Sequence, residues 1–227
     1  MQLRGVLFDL DDTLIDHRGA VARALTAWLP GLGDEGLRLW NEAQERHLVA
    51  WRERRITFAE QRRRRLRDFL PAVGIPYADE DLDEIFEGYP REYEAAWQRF
   101  PDVDDALAEV AEQGLVTAIL TNGTHEQQHL KLARVGLAGR VGPVFTVEDL
   151  GVAKPDPEAF RRACARWGLD PATVLSVGDR YDLDVLPARR AGLRAVHLDR
   201  HDEGPHDEPA RITSLRDLRD EYGRRSR

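Results

Sequence analysis

The residues able to do chemistry fall into four short stretches. The first, Phe8-Asp9-Leu10-Asp11-Asp12-Thr13-Leu14, sets three carboxylates directly after an apolar run. Crowded anions repel one another and become tolerable when a divalent cation sits among them. Asp9 and Asp11 are two residues apart, so they can converge on one site if the backbone leaves the strand and curls. The plainer alternative is an exposed acidic turn capping the next helix. The second stretch is Thr121-Asn122-Gly123, where a hydroxyl and the backbone N–H groups near Gly123 could hold phosphate oxygens at a helix start. The third places Lys154 just before Pro155-Asp156-Pro157. Of 33 basic residues only Lys131 and Lys154 are lysine, so a lysine at a special place is informative in this chain. A compact ammonium suits a tight anionic site better than a guanidinium fork. The fourth stretch, Gly178-Asp179-Arg180-Tyr181-Asp182-Leu183-Asp184, supplies further acids, with either Asp182 or Asp184 as partner to Asp179.

Each stretch follows, or lies between, elements that could position it. Residues 3–8, 115–120, 143–147, 173–177 and 194–198 are short, apolar and β-favouring, and read as buried strands. Helical patterns lie between them at 102–113, 125–135, 157–167 and 182–191, most of them closed by glycine. Pro187 marks either a kink or a late start in the last. Strands alternating with helices imply an α/β fold with a mainly parallel, Rossmann-like sheet. Such sheets bind ligands at the carboxyl ends of their strands, where the acidic stretches fall.

Residues 17–99 break the alternation. They contain no convincing strand and read as helices over 34–54, 57–72 and 79–97, the last broken near Pro90. Thr57-Phe58-Ala59-Glu60 has the form of a capping box. The expected organisation is a core of residues 1–16 and 100–227 with an all-helical domain, 17–99, inserted into it.

Composition narrows the function classes. The chain has 227 residues, 42% hydrophobic and 33% charged, enough apolar matter for a packed core. A net charge of −8 argues against binding a nucleic acid polymer. No run approaches the roughly 18 apolar residues of a membrane span. The first residues meet acids too soon for a signal peptide, so a cytoplasmic location without membrane association is expected. Cys164, the single cysteine, excludes an internal disulfide and reads as packing beside Phe160 and Trp167.

Taken together, the four stretches resemble the haloacid dehalogenase-like (HAD) hydrolase superfamily. FDLDDTL is similar to its DxDxT first motif, LTNG to its second, the KPDP lysine to its third and GDRYDLD to its fourth, in the family's order and over nearly the whole chain. The inserted helical segment resembles the family's C1 cap class. The resemblance implies a Mg²⁺-dependent phosphomonoester hydrolase acting on a small phosphorylated metabolite, such as a nucleoside monophosphate or sugar phosphate, as a monomer or homodimer. Asp9 would be the nucleophile that forms an aspartyl-phosphate, and Asp11 the acid and then the base. Asp9 and Asp179 would hold Mg²⁺ through their side chains and Asp11 through its carbonyl. Lys154 would balance the charge, Thr121 would donate to phosphate, and Asn122 would assist through its backbone. Thr13 would brace the loop, and Asp184 would orient Lys154 or a metal-bound water.

The resemblance also ranks the alternatives. The founding dehalogenases lack the second acid, so Asp11 favours a phosphate ester over a carbon–halogen bond, and a sugar phosphomutase is a further variant. A phosphoacceptor signalling or binding module would use similar groups but lacks the helical insertion. LTNG with Gln127, Gln128 and Leu132, then GVAKP, looks most like the pyrimidine 5′-nucleotidase and acylneuraminate-9-phosphatase branch. His17, just after the loop, is the candidate specificity residue.

Other features read as structural. Trp28, Trp40 and Trp51 could stack on a base, but at helical spacing they are more often core. Arg62, Arg63, Arg64 and Arg65, with Arg52, Arg54 and Arg55, could attract an anion, but a solvated helix face is favoured. His125 and His129 read as an exposed pair, the His201 and His206 loop as a weak metal candidate, and Lys131 as surface.

Overall fold

Apolar runs only four or five residues long cannot cross a core as helices, but they suffice as buried strands. In the computed structural model, which describes residues 2–52 and 55–222, they form one parallel sheet. The strands are β1 (Gly5–Phe8), β2 (Val116–Leu120), β3 (Val144–Phe145), β4 (Val174–Gly178), β5 (Arg194–Leu198) and β6 (Arg211–Ile212), in the order β3-β2-β1-β4-β5-β6. Every residue of β1 and β4 is buried, as expected when helices cover both faces. Phe8 is in register with Ile119 on one side and Val177 on the other, so Asp9, Thr121 and Asp179 leave the sheet at one end. The strand order reverses between β1 and β4, and the crevice at such a reversal is the usual ligand site of an open α/β sheet.

The chain divides into two compact units, Met1–His17 with Gln98–Arg227, and Arg18–Trp97. In the first, helices α5 (Val103–Glu112), α6 (His125–Arg134), α7 (Val147–Leu150), α8 (Pro157–Trp167), α9 (Leu186–Arg190) and α10 (Arg219–Tyr222) connect or follow the strands. Leu7, Leu120, Phe145, Phe160, Cys164 and Val185 belong to one buried cluster, which confirms Cys164 as packing. Asp102 ties distant segments together, accepting from Arg200 at 2.9 Å, Ser214 Oγ at 2.8 Å and the Leu215 N–H at 2.9 Å.

Three elements of this unit differ from their sequence reading. The strand expected over 143–147 stops at Phe145, because Thr146 caps α7 and exchanges hydrogen bonds with Asp149. The helix expected over 182–191 begins with a π-helical turn, Tyr181–Val185, and turns α-helical only at Leu186, with Pro187 in its first turn. Strand β6 is an addition, and its Arg211 and Ile212 pair with His197 and Leu198.

The second unit is helical among its described residues: α1 (His17–Trp28), α2 (Gly33–Arg52), α3 (Phe58–Ala72) and α4 (Leu82–Ala95). Trp40 is fully buried, with ring centroids 4.6 Å from Tyr89, 4.9 Å from Phe69 and 5.6 Å from Trp28. Trp40 is therefore core, Trp28 is half-buried against it, and the Trp51 ring lies tilted against Phe58 at 5.3 Å. Helix α4 runs through Pro90 unbroken. A proline inside a helix costs about 3 kcal/mol, and burial of Phe86, Tyr89 and Tyr93 on one face offsets it. The arginine row is not wholly a solvated face. Arg63 and Arg64 pair with Asp83 and Glu60, but Arg65 is buried with its guanidinium 3.5 Å over the Trp40 ring. Arg55 is exposed; Arg54 and the Arg52 side chain lie outside the described residues.

Candidate active site

Asp9 extends β1 by one hydrogen bond, its N–H donating to the Val177 carbonyl at 2.8 Å. The chain then curls tightly. Leu14 and Ile15 donate back to the Leu10 carbonyl at 2.9 and 3.0 Å, and Asp12 adopts φ 58°. That left-handed conformation is uncommon outside glycine, and aspartate is among the residues that tolerate it. The curl is what lets Asp9 and Asp11 serve one site. Thr13 is fully buried, its carbonyl accepts from Arg200 at 2.8 Å, and its hydroxyl has no hydrogen-bond partner among the described residues.

Lys154 stands at the centre. Its ammonium is 2.5 Å from Asp9 Oδ1 and 2.6 Å from Asp184 Oδ1, with all three side chains nearly or fully buried. Asp184 accepts through Oδ2 from the Arg180 N–H at 3.0 Å, whereas Asp182 is exposed beside the Arg180 guanidinium. The acid that joins the cluster is thus Asp184. Asp179 completes it: one carboxylate oxygen each from Asp9, Asp179 and Asp184 lie within 4.8 Å of one another.

Second contacts fix these groups. Asn122 clamps the Lys154 backbone, donating from Nδ2 to its carbonyl at 2.8 Å and accepting its N–H on Oδ1 at 2.9 Å. The resemblance has Asn122 assisting phosphate through its backbone; in the structure its side chain holds the lysine loop. Thr121 is buried, and its Oγ1 accepts from the Gly123 N–H at 3.2 Å. His197, a residue not singled out from sequence, is buried on β5 and donates from Nε2 to the Asp179 carbonyl at 3.0 Å. His17 is half-buried beside the loop, and its N–H donates to Ile15 at 2.8 Å.

Lys131 corrects the reading that made it a surface residue. It is buried, and its ammonium lies 2.6 Å from Asp11 Oδ1. The inward face of α6 carries Gln128, Lys131 and Leu132, all buried. A lysine can occupy such a face because the carboxylate it meets compensates the loss of water.

The electrostatics follow from these contacts. Burial pushes the Asp9 carboxyl well above the ordinary range, Lys154 opposing and Asp184 adding to the rise. Burial and the neighbouring Asp9 and Asp184 push Asp179 up as well. Burial alone would raise Asp11, but Lys131, His17 and Lys154 outweigh it and hold that carboxyl below its usual value. Lys154 is held above its ordinary range, Asp184 and Asp9 outweighing the effect of burial. One ammonium shared among Asp9, Asp179 and Asp184 leaves a deficit of positive charge. Hard oxygen donors gathered this closely suit a hard divalent cation. Among the described residues this is the one group of three or more potential ligands close enough to share an ion; the His201 and His206 loop forms none, and His125 and His129 are exposed.

Similarity to known proteins was found in both sequence and fold. The chain is 31% identical over 211 residues to the phosphoglycolate phosphatase of Salmonella paratyphi A, covering 86% of this chain and 81% of that protein. It is 37% identical over 150 residues to the phosphoserine phosphatase of Thermus thermophilus, covering 65% of this chain and 59% of the relative's length. The fold matches the HAD-hydrolase YfnB of Bacillus subtilis, solved bound to magnesium, with a TM-score of 0.82, 24% identity, and 99% and 100% of the two chains covered. No helix among the described residues is long and apolar enough to cross a membrane. Residues 3–192 match the haloacid dehalogenase-like hydrolase family, and the chain belongs to that family.

Proposed function

We propose that the chain hydrolyses phosphomonoesters of small metabolites through an aspartyl-phosphate on Asp9. The observation that carries this reading is the pairing of Asp9 and Asp11 on one curled loop, each with its own buried lysine. An Asp9 carboxylate oxygen attacks phosphorus, and the bond from phosphorus to the ester oxygen breaks. Asp11, ionised beside Lys131 in the free enzyme, takes up a proton as the substrate's negative charge enters the site and gives it to that oxygen, so the alcohol leaves neutral. Asp11, now ionised, takes a proton from water as the water oxygen attacks the same phosphorus. Inorganic phosphate departs and the Asp9 carboxylate is restored. Lys154 fixes the Asp9 carboxylate and balances negative charge on the transferring group. Thr121 offers a hydroxyl donor to a phosphate oxygen. Catalysis of this kind comes mostly from positioning and charge neutralisation.

The donor set fits magnesium. Asp9 and Asp179 would hold it through their side chains and Asp11 through its carbonyl, with Asp184 holding Lys154 in place. When bound, the ion supplies positive charge to the phosphate oxygens. Asp11 also favours an ester over a carbon–halogen bond, because a halide leaves without a proton. The core unit would carry the chemistry, and His17, beside the nucleophile loop in that unit, would bear on the choice of substrate.

The test is hydrolysis of p-nitrophenyl phosphate. Wild type with Mg²⁺ should turn over; Asp9→Asn should lose activity while its circular dichroism stays native; chelator should stop the wild type. Turnover by Asp9→Asn, or turnover without metal, overturns the reading. A panel of phosphoserine, phosphoglycolate, sugar phosphates and nucleoside monophosphates then ranks the substrates, and 2-chloropropionate should release no chloride.

A further inference from the structure

The chain has two lysines against 31 arginines, and both are buried on the nucleophile loop's carboxylates: Lys154 on Asp9 at 2.5 Å and Lys131 on Asp11 at 2.6 Å. The two contacts reach across the chain, 145 and 120 residues from their partners. We infer that Lys131 is a positioning residue for the acid–base step, holding the Asp11 carboxylate where it can reach the leaving oxygen; this rests on the phosphomonoester reading.

The physical case has three parts. Burying an ammonium costs several kcal/mol unless a partner compensates, so a residue needed only for packing at this position would be apolar, as its neighbour Leu132 is. Next, Asp11 lies on a loop beside a left-handed residue, and its side chain is about a third exposed. Without a partner such a side chain samples several rotamers, and each one away from the ester wastes the proton transfer. Lys131 is anchored differently, on the rigid α6 between buried Gln128 and Leu132. Its ammonium engages Oδ1, one of the two carboxylate oxygens, and a carboxylate has a second oxygen with which to exchange a proton.

The test uses a series of aryl phosphates from phenyl to 2,4-dinitrophenyl phosphate, measured as kcat/KM, which reports the steps through ester cleavage. A poor leaving group needs the proton and a good one does not. The ratio of kcat/KM for 2,4-dinitrophenyl phosphate to that for phenyl phosphate is expected to rise by about 100-fold in Lys131→Met, within the span that general acid catalysis supplies. Lys131→Arg, which keeps the charge with a different reach, should give a smaller rise. Asp11→Asn should steepen the series too, and adding Lys131→Met to it should steepen it no further. The ratio is taken within one preparation, so a loss of folded enzyme scales both substrates alike and cancels. A uniform fall across the series, no fall, or additive steepening in the double variant overturns the inference and leaves the phosphatase reading standing. If wild type releases phosphate from none of the esters, the phosphatase reading has failed and the inference falls with it.

Discussion

Gly178 and Asp184 approach so closely that no side chain fits between them. A Cβ built on Gly178 would lie 2.5 Å from the Cβ and Cγ of Asp184 and 2.6 Å from its Oδ2. The glycine therefore lets the π-helical turn fold back over the end of β4 and deliver Asp184 to Lys154. Gly178→Ala should push that carboxylate aside and release the ammonium from its 2.6 Å contact. A misplacement of 1 Å near the chemistry can cost about 100-fold, so kcat on p-nitrophenyl phosphate is expected to fall by about that factor. Asp9→Asn in the same assay sets the floor against which the fall is read.

Asn122 acts on the same lysine from the backbone side. Its two hydrogen bonds, 2.8 and 2.9 Å, occupy both the carbonyl and the N–H of Lys154. Asn122→Ala leaves both groups without that partner at a half-buried position, which costs about 1–3 kcal/mol. The urea midpoint should fall accordingly, and kcat should fall more than KM rises, because the lysine acts on the transferring group. A rise in KM with kcat unchanged would place Asn122 on the substrate instead.

The legible parts of this fold were those where a local pattern and a distant contact demand the same residue. Strand ends followed at once by acids located Asp9 and Asp179, since few arrangements other than a shared ion make such crowding tolerable. The two-residue strand β6 offered too short a pattern, and its partner β5 supplies the reason it forms. Pro90 reads as a breaker until its flanking aromatics are seen packed with Trp40. Lys131 was the main omission. Gln128 and Lys131 are polar, so the α6 face they share with Leu132 looks like solvent, and periodicity cannot see a carboxylate 120 residues away. The lysine-poor background was the available signal, and it applied to both lysines equally.

Acid stability should be controlled away from the site. The Arg189 fork holds the Glu208 carboxyl down to about 2, and its oxygens lie 2.7 and 2.9 Å from the guanidinium. Burial would raise Asp199, but the N–H groups of Glu203 and Gly204 and the Arg211 side chain outweigh it and bring it to about 2. Both folded values are depressed below the ordinary 4.5 and 3.8, so both carboxylates stabilise the fold above those ordinary values. That contribution is lost as pH falls from about 4.5 toward 2. Glu208→Gln should lower Tm at about pH 7 and flatten its dependence on pH across that window. An unchanged slope in Tm against pH would show that other carboxylates dominate acid unfolding.

Asp179 should show stability and activity moving in opposite directions. Burial and the neighbouring Asp9 and Asp184 raise its folded carboxyl above the unfolded value. The folded state therefore holds the proton more tightly, and the stability this gives below the unfolded value is lost as pH rises through the raised folded one. Between the unfolded value and the raised folded value, and without metal, folding must take up a proton on Asp179 or bury its charge in a cluster with too little positive charge, and the cost grows as pH rises. Asp179→Asn keeps the shape and removes that charge. Its metal-free Tm at about pH 8 is expected to exceed that of wild type by about 2–4 °C, the shift that about 1 kcal/mol gives a chain of this size, and the gain should shrink toward about pH 5. Mg²⁺ should raise the Tm of wild type, since a ligand bound only to the folded state stabilises it, and should raise that of Asp179→Asn much less. The variant should also lose Mg²⁺-dependent phosphatase activity. A lower metal-free Tm under the same alkaline conditions would mean that Asp179 is compensated by the protein itself, and an undiminished Mg²⁺ effect would remove it from the metal site.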